Sequence, residues 1–232
     1  MKLLPVIAGC VLIASCGGRA PEPRDQPRTA APAAAQPAAP TVDTRPLIAA
    51  FGDSLTAGYG ADPGQSYPDH LQRELDKLGY TYHVVNLGIS GETTSDALAR
   101  VDGVIARKPR IVILEFGGND GLRGLPITTA HANLDLVMAR LEAAHVRILL
   151  AGITLPPNYG QDYIRPFQTM YHDLAVHYPA PLIPFLLEGV FEHGLFQQDG
   201  IHPNAPGYAM VARTVLRYLK PLLGPSPRPR QG

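Results

Sequence analysis

The chain has 232 residues, and its 20 Lys plus Arg balance 20 Asp plus Glu, so its formal net charge is zero. This balance argues against a partner that is recognised by charge, such as nucleic acid. The two cysteines, Cys10 and Cys16, both lie near the N-terminus, so the rest of the chain offers no disulfide, no cysteine-based zinc site and no thiol nucleophile. The length suits one domain with appendages.

The N-terminus has the pattern of an export signal. Met1-Lys2 is a short basic start, and the apolar run Leu3–Ile13 is too short to span a bilayer. The run ends in Ile13-Ala14-Ser15-Cys16, which resembles the lipobox of bacterial lipoproteins. That resemblance implies a signal peptide over residues 1–15, cleavage before Cys16 and lipidation of Cys16. An ordinary secretory signal cut nearby is the alternative, since small residues precede the cysteine in either case.

The segment that follows is unsuited to a hydrophobic core. Residues 17–45 contain six prolines, eight alanines and no aromatic residue, and Val42 is their one large aliphatic side chain. Such a segment buries too little apolar surface to offset its ordering entropy. We therefore predict a semi-extended tether over residues 16–45. An exported lipoprotein would result, facing the periplasm or in the outer membrane of a bacterial cell envelope, with Cys16 as its membrane anchor.

The C-terminal residues 221–232 have the same character, with three prolines and two arginines after Gly224. We predict that they are disordered, which leaves residues 46–220 as the folded domain.

Strand and helix patterns alternate inside this predicted domain. The apolar runs typical of strands are 47–51, 82–86, 110–116, 146–151 and, more weakly, 181–184. The helical patterns are 67–78, 94–107, 129–144, 164–177 and 205–219. Continuously apolar runs such as Ile111–Leu114 indicate strands that are covered on both faces. The alternation predicts an α/β protein, a three-layer α/β/α sandwich around a parallel sheet of about five strands.

Polar, glycine-rich stretches follow the predicted strands, at the edge where an open parallel sheet binds its ligand. They are Gly52-Asp53-Ser54 after the first strand, Asn86–Gly91 after the second, Gly117–Gly121 after the third, and Gln198–Asn204 before the last helix. We expect these stretches to converge on one edge of the sheet.

Ester cleavage by serine needs a nucleophile, a base, a group that orients the base, and donors for the oxyanion. Ser54 stands where a strand breaks into a turn, which is how serine nucleophiles are presented. Asp199 and His202 are candidates for orienter and base, because Pro203 biases His202 toward an extended backbone just before a helix. Their spacing alone is weak evidence, and a surface turn that contains a histidine is the alternative.

Three groups are candidate oxyanion donors: the Gly88 N–H, the Ser54 N–H and the Asn119 carboxamide. A plain turn glycine is the alternative for Gly88, and a left-handed turn residue is the alternative for Asn119. Glu115 lies in the apolar third strand, where an ionised carboxylate needs partners. We interpret it as an acceptor for loop amides rather than a catalytic acid.

The motifs that occur in order are Gly52-Asp53-Ser54-Leu55, Gly88, Gly118-Asn119-Asp120 and Asp199-x-x-His202. They resemble the four blocks of the SGNH (GDSL) hydrolase family. The stretches GGNDGLRG and DGIHPNAPGY look closest to its branch of bacterial thioesterase I, lysophospholipases and arylesterases. The resemblance covers Leu47 to about Leu219 and implies a flavodoxin-like sheet. It also implies a triad of Ser54, His202 and Asp199, with an oxyanion hole from Ser54, Gly88 and Asn119. No metal or cofactor is implied.

Apolar residues after the third and fourth predicted strands are suited to an acyl or aryl group. The predicted substrate-binding residues are Leu122, Ile153, Leu155 and Pro156. We expect a monomeric serine esterase that acts through an acyl-enzyme on small-molecule or lipid esters: acyl or aryl esters, thioesters and lysophospholipids, in that order. A carbohydrate O-deacetylase is one alternative, weakly disfavoured because the chain has no Trp. A non-catalytic binding lipoprotein is the other, and the intact Ser54, Asp199 and His202 argue against it.

Overall fold

A computed structural model describes residues 43–224, and this part of the chain contains five strands. The strands are β1 Leu47–Gly52, β2 His83–Asn86, β3 Ile111–Glu115, β4 Arg147–Ala151 and β5 Leu182–Ile183. They form one sheet in the order β2-β1-β3-β4-β5, and every neighbouring pair is parallel. This is the flavodoxin-like order, whose winding reverses between β1 and β3. The predicted α/β fold class is confirmed.

The helices alternate with the strands. They are α1 Ser54–Ala57, α2 Tyr67–Lys77, α3 Thr94–Ile105, α4 Gly118–Leu122, α5 Ile127–Ala143, α6 Gln161–His177 and α7 Ala205–Leu219, with 3-10 turns at Pro157–Tyr159 and Lys220–Leu222. The five long helices agree with the predicted ranges to within three residues at each end. The short helices α1 and α4 were not predicted, and each begins within three residues of the end of a central strand.

The central strands β1 and β3 carry the hydrophobic core. Ile48–Phe51 and Ile111–Leu114 are completely buried, because helices pack on both faces of the sheet. Helix α2 packs against α7, while α5 packs against α3 and α6. Both central strands end at the same edge of the sheet, so the residues that follow them are brought together there.

The ordered fold extends past both predicted domain boundaries. At the start, Arg45 donates to the Asp43 carboxylate and lies 3.2 Å from His83 Nδ1. At the end, Leu223 is buried, and its carbonyl oxygen accepts a hydrogen bond from the Tyr82 hydroxyl at 3.0 Å. The predicted lipobox, Cys16 and most of the predicted tether and tail lie outside the described residues. Between residues 43 and 224 there is no helix with the length and apolarity that a membrane crossing requires.

Candidate active site

Ser54 is the first residue of α1 and follows β1 after a sharp turn. The turn needs Gly52, because a Cβ atom there would lie 2.1 Å from Thr56 Oγ1 and 2.5 Å from Glu115 Oε2. Asp53 caps the helix, since its Oδ1 accepts a hydrogen bond from the Leu55 N–H at 3.0 Å. Ser54 is thereby held, partly exposed, at the carboxyl edge of the sheet.

The three predicted triad residues form one chain of hydrogen bonds. Ser54 Oγ lies 2.9 Å from His202 Nε2, and His202 Nδ1 lies 2.7 Å from Asp199 Oδ2. The other carboxylate oxygen, Oδ1 of Asp199, accepts from the N–H groups of Ile201 and His202 at 2.9 and 3.0 Å. The fold brings Ser54 and His202 together across 148 positions of sequence.

Asp199 is ionised at neutral pH. Burial opposes its charge, but the hydrogen bonds from the His202 amide, the His202 ring and the Ile201 amide outweigh burial and lower the pKa of Asp199 to about 2. Their contribution to stability is full above about pH 4, the usual pKa of a free aspartate, and is lost as the pH falls toward the folded-state pKa. A charged Asp199 keeps a proton on His202 Nδ1, which leaves Nε2 free to accept the Ser54 hydroxyl.

Two further residues, neither of them predicted from the sequence, hold His202 in place. The Tyr59 ring contacts the His202 ring, with their centroids 4.5 Å apart. The side-chain amide of Gln197 donates to the carbonyl oxygens of Tyr59 and Pro203 at 2.6 and 2.9 Å. Gln197 therefore links the loop after α1 to the loop that carries His202. No sequence motif signals this link, because it joins segments that are distant along the chain.

The prediction for Gly88 is corrected by the structure. The Gly88 N–H donates to Asn86 Oδ1 at 2.9 Å, and a Cβ atom on Gly88 would lie 2.2 Å from the Ala57 nitrogen. Gly88 thus lets two backbone segments pack closely, and it does not line the cavity that opens at Ser54 and His202. Gly91 lines that cavity instead, and its N–H has no acceptor within residues 43–224. Gly91 ends the same Asn86–Gly91 stretch, so a signal for it was present.

Asn119 lies in the first turn of α4, on the cavity wall. Its amide nitrogen donates to Asp53 Oδ2 at 3.0 Å and to the Glu92 carbonyl oxygen at 2.8 Å. Its helical backbone excludes the left-handed turn role, since Lys108 and His145 are the non-glycine residues with positive φ in the described chain. The Ser54 N–H, like that of Gly91, finds no acceptor in the described part of the protein.

Asp53, which precedes Ser54 in the chain, forms a buried carboxyl pair with Glu115. Glu115 Oε2 accepts from the Asp53 N–H at 3.2 Å and from the Thr56 hydroxyl at 2.8 Å, as predicted for a loop acceptor. Burial raises the pKa of Asp53 to about 6, and burial together with the Asp53 charge raises the pKa of Glu115 well above its usual range. Burial and the closeness of the two carboxyl groups therefore both act against a second negative charge at this position.

A cavity of about 620 Å³ opens at Ser54 and His202. All four predicted substrate-binding residues line it, namely Leu122, Ile153, Leu155 and Pro156. Four further apolar residues line the cavity and were not predicted, namely Phe185, Leu187, Phe191 and Phe196. Within residues 43–224, no three His, Cys, Asp or Glu side chains are grouped as a metal site would require.

Residues 50–210 match the model of the GDSL-like Lipase/Acylhydrolase family. The chain belongs to this family. One GDSL-family relative, the esterase TesA of Pseudomonas aeruginosa, is 42% identical over 174 residues, which cover 74% of this chain and 87% of TesA. Another, the thioesterase 1/protease 1/lysophospholipase L1 of Escherichia coli, is 38% identical over 175 residues, covering 75% of this chain and 83% of the relative.

The solved structures agree with this assignment. The psychrotrophic esterase EstA from Pseudoalteromonas sp., in a structure inhibited by monoethylphosphonate, superposes with a TM-score of 0.73 at 30% identity. The match covers 77% of this chain and 99% of EstA. The predicted family and fold are confirmed, and the protein is an esterase-type hydrolase of the GDSL family.

Proposed function

We propose that the protein is a serine esterase that hydrolyses acyl or aryl carboxylic esters through Ser54, His202 and Asp199. The observation that carries this proposal is the continuous chain from Ser54 Oγ through His202 to Asp199, with spacings of 2.9 and 2.7 Å. Those distances are what proton transfer from a serine nucleophile to a base requires.

The reaction follows from this geometry. Ser54 Oγ attacks the ester carbon while its proton moves to His202 Nε2, and the carbonyl electron pair moves onto oxygen. Collapse of this intermediate expels the alcohol or thiol, which takes the proton from Nε2, and leaves an acyl group on Ser54. Water then attacks the acyl-enzyme, giving its proton to Nε2. Release of the acid returns that proton to Ser54 Oγ.

The unpaired N–H groups of Ser54 and Gly91 are the proposed backbone donors to the oxyanion. Asn119 is the third proposed donor. Because its amide nitrogen already donates to Asp53 and Glu92, it has to share a proton with the oxyanion in a three-centre bond.

The apolar cavity supports acyl and aryl esters as the substrate class, with thioesters and lysophospholipids next, as the name of the Escherichia coli relative suggests. The test is hydrolysis of p-nitrophenyl esters of graded chain length, before and after treatment with an organophosphonate. We expect turnover that depends on chain length, is lost in proportion to modified Ser54, and is unchanged by excess chelator. Turnover that survives full modification of Ser54 would refute the proposal. Faster release of acetate from acetylated sugars would favour the O-deacetylase alternative.

Replacement of Asn119 tests its proposed oxyanion role. Asn119→Ala and Asn119→Gly are both expected to lower kcat about 10²-fold, the usual cost of one oxyanion donor, with little change in KM. Both should also lower the melting temperature, since the amide holds the buried Asp53 carboxylate. Kinetics and thermal melts on one ester give the measurement.

Asn133 provides the matched control for this pair. Its amide also donates to two acceptors, Thr94 Oγ1 and Ser95 Oγ, both at 3.1 Å, and it lies outside the site. Asn133→Ala should therefore lower the melting temperature and leave kcat unchanged. If Asn119→Ala keeps kcat within about twofold of the wild type, a deviation far below the usual cost of a donor, Asn119 is removed from the oxyanion hole.

We also propose that the protein is a lipoprotein anchored to the bacterial cell envelope through Cys16. The support is the Ile13-Ala14-Ser15-Cys16 sequence. Cys16→Ser is expected to abolish acylation and release the protein from membrane fractions, while turnover of soluble esters is unchanged because Cys16 is remote in sequence from every site residue. Mass spectrometry of the mature N-terminus gives the measurement, and Cys10→Ser, inside the predicted signal peptide, is the control. A mature N-terminus beyond Cys16 without lipid would contradict the proposal.

A further inference from the structure

Helix α4 holds two successive carbonyl groups of the loop after β2. The Asn119 amide donates to the Glu92 carbonyl oxygen, and Arg123 Nη2 donates to the Gly91 carbonyl oxygen, both at 2.8 Å. Asn119 and Arg123 are four positions apart, so their side chains lie on the same side of this helical turn. One turn of α4 therefore fixes two successive peptide groups, the one that joins Gly91 to Glu92 and the one that follows Glu92.

The loop segment that α4 holds is a tight turn over residues 89–92. The Glu92 N–H closes the turn on the Ile89 carbonyl oxygen at 3.3 Å, and the Ile89 N–H donates to the Gly52 carbonyl oxygen at 3.0 Å. Gly91 has a φ of +85°, as the third position of a type II turn requires. The first residue of the turn is thus tied to β1, the third is held by Arg123 and the last by Asn119.

We propose that Arg123 is a positioning residue that holds the Gly91 N–H in place as an oxyanion donor. This inference rests on the proposed esterase function. Arg123 is exposed, and its contact with the site is made through the Gly91 carbonyl oxygen. Its planar guanidinium group orients that carbonyl and so restrains the Gly91 backbone, which includes the N–H. A donor that is fixed before substrate arrives stabilises the transition state more than a mobile one.

Three variants test this role: Arg123→Met, which removes the donor, Arg123→Lys, which keeps the charge, and Arg140→Met as a control. Arg140 is also exposed, and it donates to Asp102 at 3.2 Å on a face formed by α3 and α5. We expect Arg123→Met to lower kcat about tenfold, the order expected when a group is misplaced rather than removed. The factor should be the same for a p-nitrophenyl ester and a thioester, with KM and the pH dependence of kcat unchanged. Arg123→Lys should recover part of the loss.

Phosphonylation of Ser54 supplies a second readout, because the phosphonate oxygen also occupies the oxyanion hole. Its rate in Arg123→Met should fall by the same factor as kcat. Three results would overturn the inference. They are unchanged kcat and phosphonylation rates in Arg123→Met, an equal loss of kcat in Arg140→Met, and an effect of Arg123→Met that is confined to KM and varies with the acyl group. Ser54→Ala separates the two proposals. If it abolishes turnover while Arg123→Met is fully active, the esterase assignment stands and only the role of Arg123 fails.

Discussion

Replacement of Ser54 by alanine is expected to lower kcat by at least about 10⁴-fold, the scale on which loss of a serine nucleophile acts in enzymes of this type. The Ser54 hydroxyl, whose oxygen lies 2.9 Å from His202 Nε2, is the proposed attacking group, and alanine removes it. The fold should persist, because the substitution removes one oxygen atom from a partly exposed side chain.

The control for this experiment is Ser95→Ala. Ser95 is exposed on α3 and accepts a hydrogen bond from Asn133, away from the cavity. Wild type and Ser95→Ala should each take up one phosphonyl group per chain, by intact mass, and Ser54→Ala none. The melting temperatures of all three proteins should be similar. A folded Ser54→Ala protein that keeps most of its activity would end the serine-esterase proposal.

Asp199→Asn is expected to lower kcat by about 10³–10⁴-fold without a large change in KM, as for other enzymes in which this substitution reverses the histidine tautomer. Asp199 Oδ1 accepts two backbone N–H groups, so an asparagine must keep its oxygen at that position. Its NH₂ group then faces His202 Nδ1. The histidine has to accept there and carry its proton on Nε2, which leaves no acceptor for the Ser54 hydroxyl.

Asp102→Asn is the matched control, since Asp102 is exposed on α3 and contacts Arg140 at 3.2 Å. It should match the wild type in both kcat and melting temperature. Asp199→Asn should remain folded, with a lower melting temperature because it loses the hydrogen bonds to the charged carboxylate. It should lose kcat at every pH, because the wild-type carboxylate, with a pKa of about 2, is charged throughout a neutral range of assays. More than a tenth of wild-type kcat in Asp199→Asn would show that the tautomer is not controlled by this residue.

The fold could be predicted from sequence because each strand signals its environment locally. Ile111–Leu114 is continuously apolar, and the structure buries this run completely between two layers of helices. The short helices α1 and α4 escaped prediction, since four or five residues are too few to show helical periodicity. Their formation depends on glycines at the strand ends, such as Gly117 with a φ of +114°.

The amino-acid sequence by itself determined the α/β fold and brought Ser54, Asp199 and His202 forward as candidates. It could do so because parallel strands place their carboxyl ends at one edge, so residues after different strands must meet. Only the tertiary structure decided which glycine N–H is available to an oxyanion. The sequence does not distinguish Gly88 from Gly91. In the structure the Gly88 N–H donates to Asn86, while the Gly91 N–H has no acceptor among the described residues. The supports of His202 and Gly91, and the aromatic cavity wall, were likewise decided by tertiary contacts. A hydrogen-bond partner or a packing neighbour is selected by distance in space, and sequence separation does not record that distance.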